Sequence, residues 1–260
     1  MATFDIYRDL PAFVANSAMS SAETATHLAL QTANQLVPFL ASLAGAVNEN
    51  VVGPVTADTF LPITETRALA AEFKVILDHY GSDKATFHAY HEIYAAILRD
   101  REKVERVLEI GLGTNNTDVA SNMGPAGRPG ASLRAFRDFL PNALIFGADV
   151  DRRILFAETR IATFFVDQTA PETFRALASQ LRGEFDLIID DGLHAMNANL
   201  STLEFGLGKI RPRGWVVIED IPTSALPLWG VVRRLLPAVK FHSEIVATRT
   251  AFLFVVQRLH

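Results

Sequence analysis

From Arg106 onward the chain repeats one unit: a short run of apolar residues, then a longer stretch with helical spacing. Runs near 106–110, 144–148, 162–166, 185–190 and 214–218 read as strands, and stretches near 131–140, 152–159, 171–182, 196–209 and 224–236 read as helices. The strand runs are continuous, as in Leu187-Ile-Ile and Trp215-Val-Val-Ile, rather than alternating. That is the pattern of a parallel sheet covered by helices on both faces. Two further runs, near 240–247 and 250–258, are separated only by Thr248 and Arg249. So short a connection permits only an antiparallel pair. The residues before about 75 differ: rich in Ala, Thr, Leu and Asn, they predict helices near 23–36 and 65–79 and carry no motif chemistry. The expected organisation is an N-terminal helical region over 1–75, making oligomer and acceptor-side contacts, and an α/β domain over 76–260. Residues 114–130, rich in Asn, Gly and Pro, read as a loop over the site.

Composition narrows the partners. The 260 residues carry a net charge of −5, without the basic footprint that nucleic acid requires. The chain has no cysteine, which excludes disulfides, thiolate zinc sites and thiol nucleophiles. The first residues lack a basic stretch followed by an apolar core, so no signal peptide is read there. The apolar stretch near 36–47 is short for a bilayer and is broken by Pro38. A cytoplasmic protein without a membrane partner is expected. Hydrophobic residues make up 49% of the chain, enough for a large core and an apolar surface between subunits of a homo-oligomer.

In open parallel sheets the ligand sits at the carboxyl ends of the strands. The first strand ends in Glu109-x-Gly111-x-Gly113, where glycine lets backbone approach a ligand closely. An acid at this place repels a pyrophosphate and attracts a ligand bearing an ammonium and a sulfonium. The third glycine of the dinucleotide fingerprint is also missing, since position 116 is Asn. The motif therefore favours S-adenosylmethionine over NAD. The next strand ends supply Asp149, suited to ribose hydroxyls, and Asp167-Gln168, suited to an adenine amino group. The fourth and fifth supply Asp190-Asp191-Gly-Leu-His194 and Glu219-Asp220. Any one such acid serves equally well as a helix cap or turn residue. Five polar strand ends together favour a site.

Adjacent strands lie roughly 4.8 Å apart, so Asp191, Glu219 and Asp220 are expected to meet. Clustered carboxylates repel unless a cation sits among them, and an all-oxygen set suits Mg²⁺ or Ca²⁺ better than zinc. The rival reading has Asp220 capping a helix and Glu219 paired with an arginine. His194 stands three residues beyond Asp191, with an ordinary pKa of about 6.5 that suits a general base. His88 and His91 are spaced as a helical pair without an evident third ligand, and read as surface or substrate-side residues.

With these residues in hand, the chain resembles the metal-dependent O-methyltransferases of macrolide sugars, the macrocin and mycinamicin group. It also resembles related bacterial enzymes of polysaccharide and natural-product pathways. The motifs that carry the likeness begin with Tyr80-Gly-Ser-Asp-Lys84, Leu108-Glu-Ile-Gly-Leu-Gly-Thr-Asn-Asn116, Pro129-Gly-Ala-Ser-Leu-Arg134 and Gly147-Ala-Asp-Val-Asp151. They continue with Asp167-Gln168, Ile189-Asp-Asp-Gly-Leu-His194 and Val217-Ile-Glu-Asp-Ile221. The resemblance implies a class I methyltransferase, with a Rossmann-like, mostly parallel seven-stranded sheet closed by an antiparallel C-terminal hairpin. It implies that Asp191, Glu219 and Asp220 hold Mg²⁺, with His194 as general base beside Asp191. It implies a cofactor site drawn from Tyr80, Ser82, Lys84, Glu109, Gly111, Gly113, Asn115, Ser132, Asp149, Asp167, Gln168 and Asp190. The 80–84 segment would close over the methionine end. The N-terminal region departs from the macrolide enzymes, so the acceptor is left as a hydroxyl of a sugar or small natural product. Two alternatives stay open: a nicotinamide-dependent oxidoreductase, and a methyltransferase fold retained only for binding.

Overall fold

The computed structural model describes residues 22–47 and 53–260, and the chain divides into two compact units. The first holds the helix α1 (Ala22–Val47), with Pro38 inside it. The second begins with a two-residue strand β1 (Val55–Thr56), a helical turn α2 (Ala57–Phe60) and the helices α3 (Arg67–Tyr80), α4 (Asp83–Thr86) and α5 (Tyr90–Ile97). Alternation then starts: β2 (Arg106–Ile110), α6 (Ala131–Phe139), β3 (Leu144–Asp149), β4 (Ala157–Glu158), β5 (Ile161–Phe165), α7 (Pro171–Gln180), β6 (Phe185–Asp190), α8 (Met196–Leu207) and β7 (Ile210–Ile221). Helix α9 (Leu226–Leu235) groups with α1 in the first unit, and β8 (Phe241–Ala247) and β9 (Phe252–Arg258) complete the second.

The sheet-bearing unit begins at Gly53, earlier than the boundary near 75 expected from composition. The reason is α3. Its Ala70, Phe73 and Leu77 recur at helical spacing and are buried, and Phe73 stacks on Phe139 of α6 at 4.4 Å between ring centroids. Helix α3 is thus part of the sheet's cover, not of a separate helical region.

The sheet has nine strands in the order β1-β8-β9-β7-β6-β2-β3-β5-β4. Strands β2, β3, β5, β6 and β7 run parallel, and every residue of β6 is buried, as a strand covered on both faces requires. The predicted hairpin is present: β8 pairs antiparallel with β9, which pairs antiparallel with β7. The two extra strands, β1 and β4, are two-residue additions at the edges.

The helix expected near 152–159 is absent. A single 3₁₀ turn over Arg152–Ile154 leads into β4, antiparallel to β5. Phe156 N donates to Thr163 Oγ1 at 2.6 Å, and Arg160 turns the chain with φ of 60°. Pairing along the free edge of β5 satisfies backbone that a helix would have satisfied internally.

The position of β2 decides where a ligand can sit. From β2 the chain moves one way, to β3 and β5, and then returns to place β6 on the other side. The helices on either side of such a reversal diverge, which opens a crevice at the carboxyl ends of β2 and β6.

Candidate active site

Strand β2 ends in two left-handed glycines, Gly111 with φ of 96° and Gly113 with φ of 74°. A Cβ on Gly111 would lie 2.0 Å from the carbonyl oxygen of Asp191, so the turn after β2 packs backbone against backbone on the loop after β6. Asp191 N donates to Ile110 O at 2.8 Å across the same junction. Asp149, at the end of β3, accepts from Leu112 N at 2.7 Å and from Asp151 N at 2.8 Å, and its burial raises its pKa. The turn and the strand ends enclose a cleft of about 650 Å³, whose lining includes Gly111, Asp149, Asp167, Asp191, His194 and Asp220.

The 114–130 loop covers this cleft, as expected, and its anchors are specific. Asp151 accepts from Arg153 Nε at 2.7 Å, Thr114 Oγ1 at 2.6 Å and Asn116 Nδ2 at 2.7 Å. These bonds, Arg153 first, hold its carboxyl well below the usual range. Ser121 Oγ donates to Leu193 O at 3.0 Å, tying the loop to the segment that carries His194.

Below the cleft is a buried ionic centre. Lys84, only 2% exposed, lies within ion-pair reach of three acids: Asp191 Oδ2 at 2.6 Å, Glu109 Oε1 at 3.1 Å and Glu219 Oε2. Burial opposes its charge, but Asp191, Glu219 and Glu109 outweigh this and raise its pKa. Glu219 spends its other oxygen on the Tyr94 hydroxyl, and Glu109 accepts from Ser132 Oγ at 2.5 Å. Burial drives the pKa of both Glu109 and Glu219 upward, while Lys84 pulls each back down.

Above this centre, Asp191, His194 and Asp220 each bring one ligand-capable atom to within 4.8 Å of the others. His194 Nε2 is 3.8 Å from Asp191 Oδ1 and 3.7 Å from Asp220 Oδ2. His194 and Asp220 both have positive φ, 55° and 56°, a conformation that non-glycine residues adopt at some cost. Tyr90 donates to Asp220 Oδ1 at 2.6 Å, leaving Oδ2 toward His194. Two half-exposed carboxylates facing an open cleft fit a hard divalent cation that keeps some positions for water or substrate oxygen.

The sequence-derived residues separate into two groups. Gly111, Gly113, Asp149, Asp167, Gln168, Asp191, His194 and Asp220 line the cleft. Gln168, however, already gives Nε2 to Asp190 and Thr202 and accepts from Leu193 N, which leaves it a framework role. Asp190 is wholly buried against Gln168 and Asn199. Glu109 faces Lys84 and Ser132 rather than the cleft, so the acid of the glycine motif meets an internal ammonium. Ser82 caps the Lys84 amide at 3.4 Å. Tyr80 turns its hydroxyl to Asp138 and Arg137, and Asn115 is exposed outside the cleft lining. Glu219 lies behind Lys84, apart from the facing set of Asp191, His194 and Asp220.

The sequence reading also missed residues. Tyr90, Tyr94 and Asp151 carried no local signal, although Asp151 follows Asp149 in the Gly147–Asp151 motif. His88 lies outside the cleft lining, with Nδ1 2.7 Å from Thr250 Oγ1 and 3.5 Å from Asp220 Oδ1. His91 is buried rather than at the surface, and burial lowers its pKa.

No family model matches the chain. Among curated proteins it is 32% identical over 151 residues to the 8-demethyl-8-alpha-L-rhamnosyl tetracenomycin-C 2'-O-methyltransferase of Streptomyces olivaceus, covering 57% of this chain and 37% of that one. It is 36% identical over 131 residues to the demethylmacrocin O-methyltransferase of Streptomyces fradiae, covering 50% and 31%. It is 35% identical over 145 residues to the mycinamicin VI 2''-O-methyltransferase of Micromonospora griseorubida, covering 55% and 34%. The matches thus span about a third of those relatives' own length. Among solved structures, the MycE methyltransferase of mycinamycin biosynthesis in complex with Mg and SAH superposes with a TM-score of 0.59 at 24% identity, covering 72% of this chain and 55% of that one. The same enzyme with Mg, SAH and mycinamycin VI gives a TM-score of 0.58. The fold is therefore the Rossmann-like fold of the class I methyltransferases, and the sugar O-methyltransferases are what this chain is similar to.

Proposed function

We propose that this protein is an S-adenosylmethionine-dependent O-methyltransferase that uses Mg²⁺ and acts on a hydroxyl of a sugar or glycosylated natural product. The observation that carries the reading is the placement of Asp191, His194 and Asp220 within one cleft at the mouth of the Gly111 turn. The cofactor would supply an activated methyl group, and the cation, held by Asp191 and Asp220, would acidify the acceptor hydroxyl. Gly111 and Gly113 would let backbone approach the cofactor, Asp149 would receive the ribose hydroxyls, and Asp167 would suit the adenine amino group; all four line the cleft. His194 Nε2 would take the proton of the acceptor hydroxyl as that oxygen bonds to the methyl carbon and the methyl–sulfur bond breaks, with S-adenosylhomocysteine leaving as a neutral thioether. The anchored 114–130 loop excludes water and helps to hold donor and acceptor in line.

The name of the tetracenomycin-C relative supports a sugar hydroxyl as acceptor, since it specifies a rhamnosyl substrate. Helix α1 exposes Leu28, Leu36, Phe39, Leu40 and Leu43 and carries no charged residue after Glu23, which supports a homo-oligomer contact. No helix among the described residues is long and apolar enough to cross a membrane.

The test is methyl transfer from labelled S-adenosylmethionine to a panel of rhamnosides and other glycosides, with and without EDTA. Transfer that stops with EDTA and returns with Mg²⁺ or Mn²⁺ is expected. Transfer at full rate in EDTA refutes the metal half. S-adenosylhomocysteine should also raise the melting temperature, and no shift at millimolar ligand refutes the cofactor assignment.

A further inference from the structure

Leu193, the residue before His194, is held at both of its backbone groups. Its N–H donates to Gln168 Oε1 at 2.8 Å, and its carbonyl accepts from Ser121 Oγ at 3.0 Å. The first tie is to buried framework, since Gln168 also gives Nε2 to Asp190 and Thr202. The second is to the 114–130 loop, from a serine 72 positions earlier in the chain. We propose that Ser121 is a positioning residue for the general base. By holding the Leu193 carbonyl, it fixes the peptide plane on which the orientation of His194 depends. This inference rests on the base reading of His194 given above.

Three features carry it. His194 has φ of 55° and Ser121 φ of 58°, so two non-glycine segments in the left-handed region meet across one hydrogen bond. That conformation costs free energy and persists only where neighbouring structure holds it. The φ torsion of His194 turns its Cα against the planar 193–194 peptide, so a grip on the Leu193 carbonyl is a grip on that torsion. The loop after β6 is also tethered from beneath up to this point. Asp191 N donates to Ile110 O at 2.8 Å, Gly192 N to Asp190 Oδ1 at 3.2 Å and Leu193 N to Gln168. With those three amides fixed, the Leu193 carbonyl is the last backbone group before His194 that can turn. Finally, Ser121 is placed by its own loop, where Met123 N donates to Thr114 O at 2.8 Å and Asn122 Nδ2 to Val119 O at 2.9 Å, and it lines the cleft together with His194. The loop that covers the cleft therefore also aligns the base, through a bond that uses no carboxylate.

Ser121→Gly tests this, because it removes the hydroxyl while glycine accepts the left-handed backbone without strain. With the best glycoside acceptor of the panel above, kcat should fall about tenfold, the upper scale of one net hydrogen bond. Affinity for S-adenosylhomocysteine by calorimetry and KM for the acceptor should stay within about threefold. Ser121→Asn restores a donor on a residue that also tolerates the left-handed region, and should recover most of the loss. In a His194→Ala background Ser121→Gly should have no further effect. A readout without turnover is NMR of protein labelled with ¹³C-histidine, in which the His194 Cε1–H signal is assigned by its absence from His194→Ala. That signal should shift or broaden in Ser121→Gly and return in Ser121→Asn. An unmoved His194 signal in Ser121→Gly overturns the inference, and does so even if no acceptor of the panel is methylated. So does a loss of kcat that Ser121→Asn does not reduce, or one that recurs in full in the His194→Ala background. Wild-type kcat in His194→Ala overturns the base reading and this inference together. Loss in His194→Ala with kcat within about twofold of wild type in Ser121→Gly overturns this inference only.

Discussion

Replacing Gly111 by alanine tests the junction on which the whole cleft depends. The added Cβ would stand 2.0 Å from the Asp191 carbonyl oxygen, where ordinary contact begins at 3.4 Å, so backbone on one side must yield by over an ångström. The positive φ of Gly111 adds its own cost, about 1–2 kcal/mol for an L-residue in left-handed conformation. Relief of the overlap adds roughly 1–3 kcal/mol, as for other insertions into a packed region. The expected destabilisation is therefore about 2–5 kcal/mol by urea unfolding. Gly124 supplies the control, since it too has positive φ, 67°, but a Cβ there meets nothing within 4 Å. Gly124→Ala should cost only the conformational part, about 1–2 kcal/mol. Because the displaced carbonyl belongs to Asp191, Gly111→Ala should also weaken S-adenosylhomocysteine binding and cut activity about 10²-fold, the usual scale for an ångström of misplacement. Equal unfolding free energies for the two variants, with cofactor affinity intact in both, would show that the two loops are not in contact as described.

Three other outcomes are expected. Asp149→Ala should weaken S-adenosylhomocysteine binding at least tenfold by calorimetry, because it removes the ribose acceptor and frees the Leu112 and Asp151 amides; wild-type affinity would rule out the ribose role. His194→Ala should lower kcat by ~10²–10⁴-fold with cofactor affinity near wild type, the usual share of general-base catalysis; kcat within a few-fold of wild type from pH 6 to 9 would make His194 a bystander. Asp151 is depressed below its ordinary 3.8 in the folded state, so its contribution to stability is present above that pH and lost as the pH falls through the folded pKa. Asp151→Asn should therefore lower the melting temperature at pH 7 more than at pH 3, and an equal loss at both would mean that its charge plays no part.

The parallel strands could be read from the chain because burial on both faces leaves an unbroken apolar run, and β6 is buried throughout. The edge strands could not, since two residues such as Ala157-Glu158 carry no period, and their pairing depends on the free edge of β5. The facing acids Asp191 and Asp220 were legible because each ends a strand whose neighbour follows from the layout. The role of Lys84 was not. Its contacts with Asp191 and Glu219 span 107 and 135 positions, and only the packing of α4 beneath the sheet's carboxyl edge brings them together. Glu109 misled for the same reason. Its place beside the glycine turn was right, but the side chain enters the interior, where the charge it meets belongs to the protein.

Strand β9 follows β8 in the chain yet lies inside the sheet, between β7 and β8. During synthesis, therefore, the outer edge of β7 has no strand to pair with until Phe252–Arg258 has left the ribosome. Until then that edge is an open template of unpaired amides and carbonyls, the kind of surface that recruits strands from other chains. It is also the strand that carries Glu219 and Asp220. A chain cut before residue 252 would thus keep all the acids of the cleft on a half-finished sheet, with the outer edge of β7 unpaired for want of one seven-residue strand.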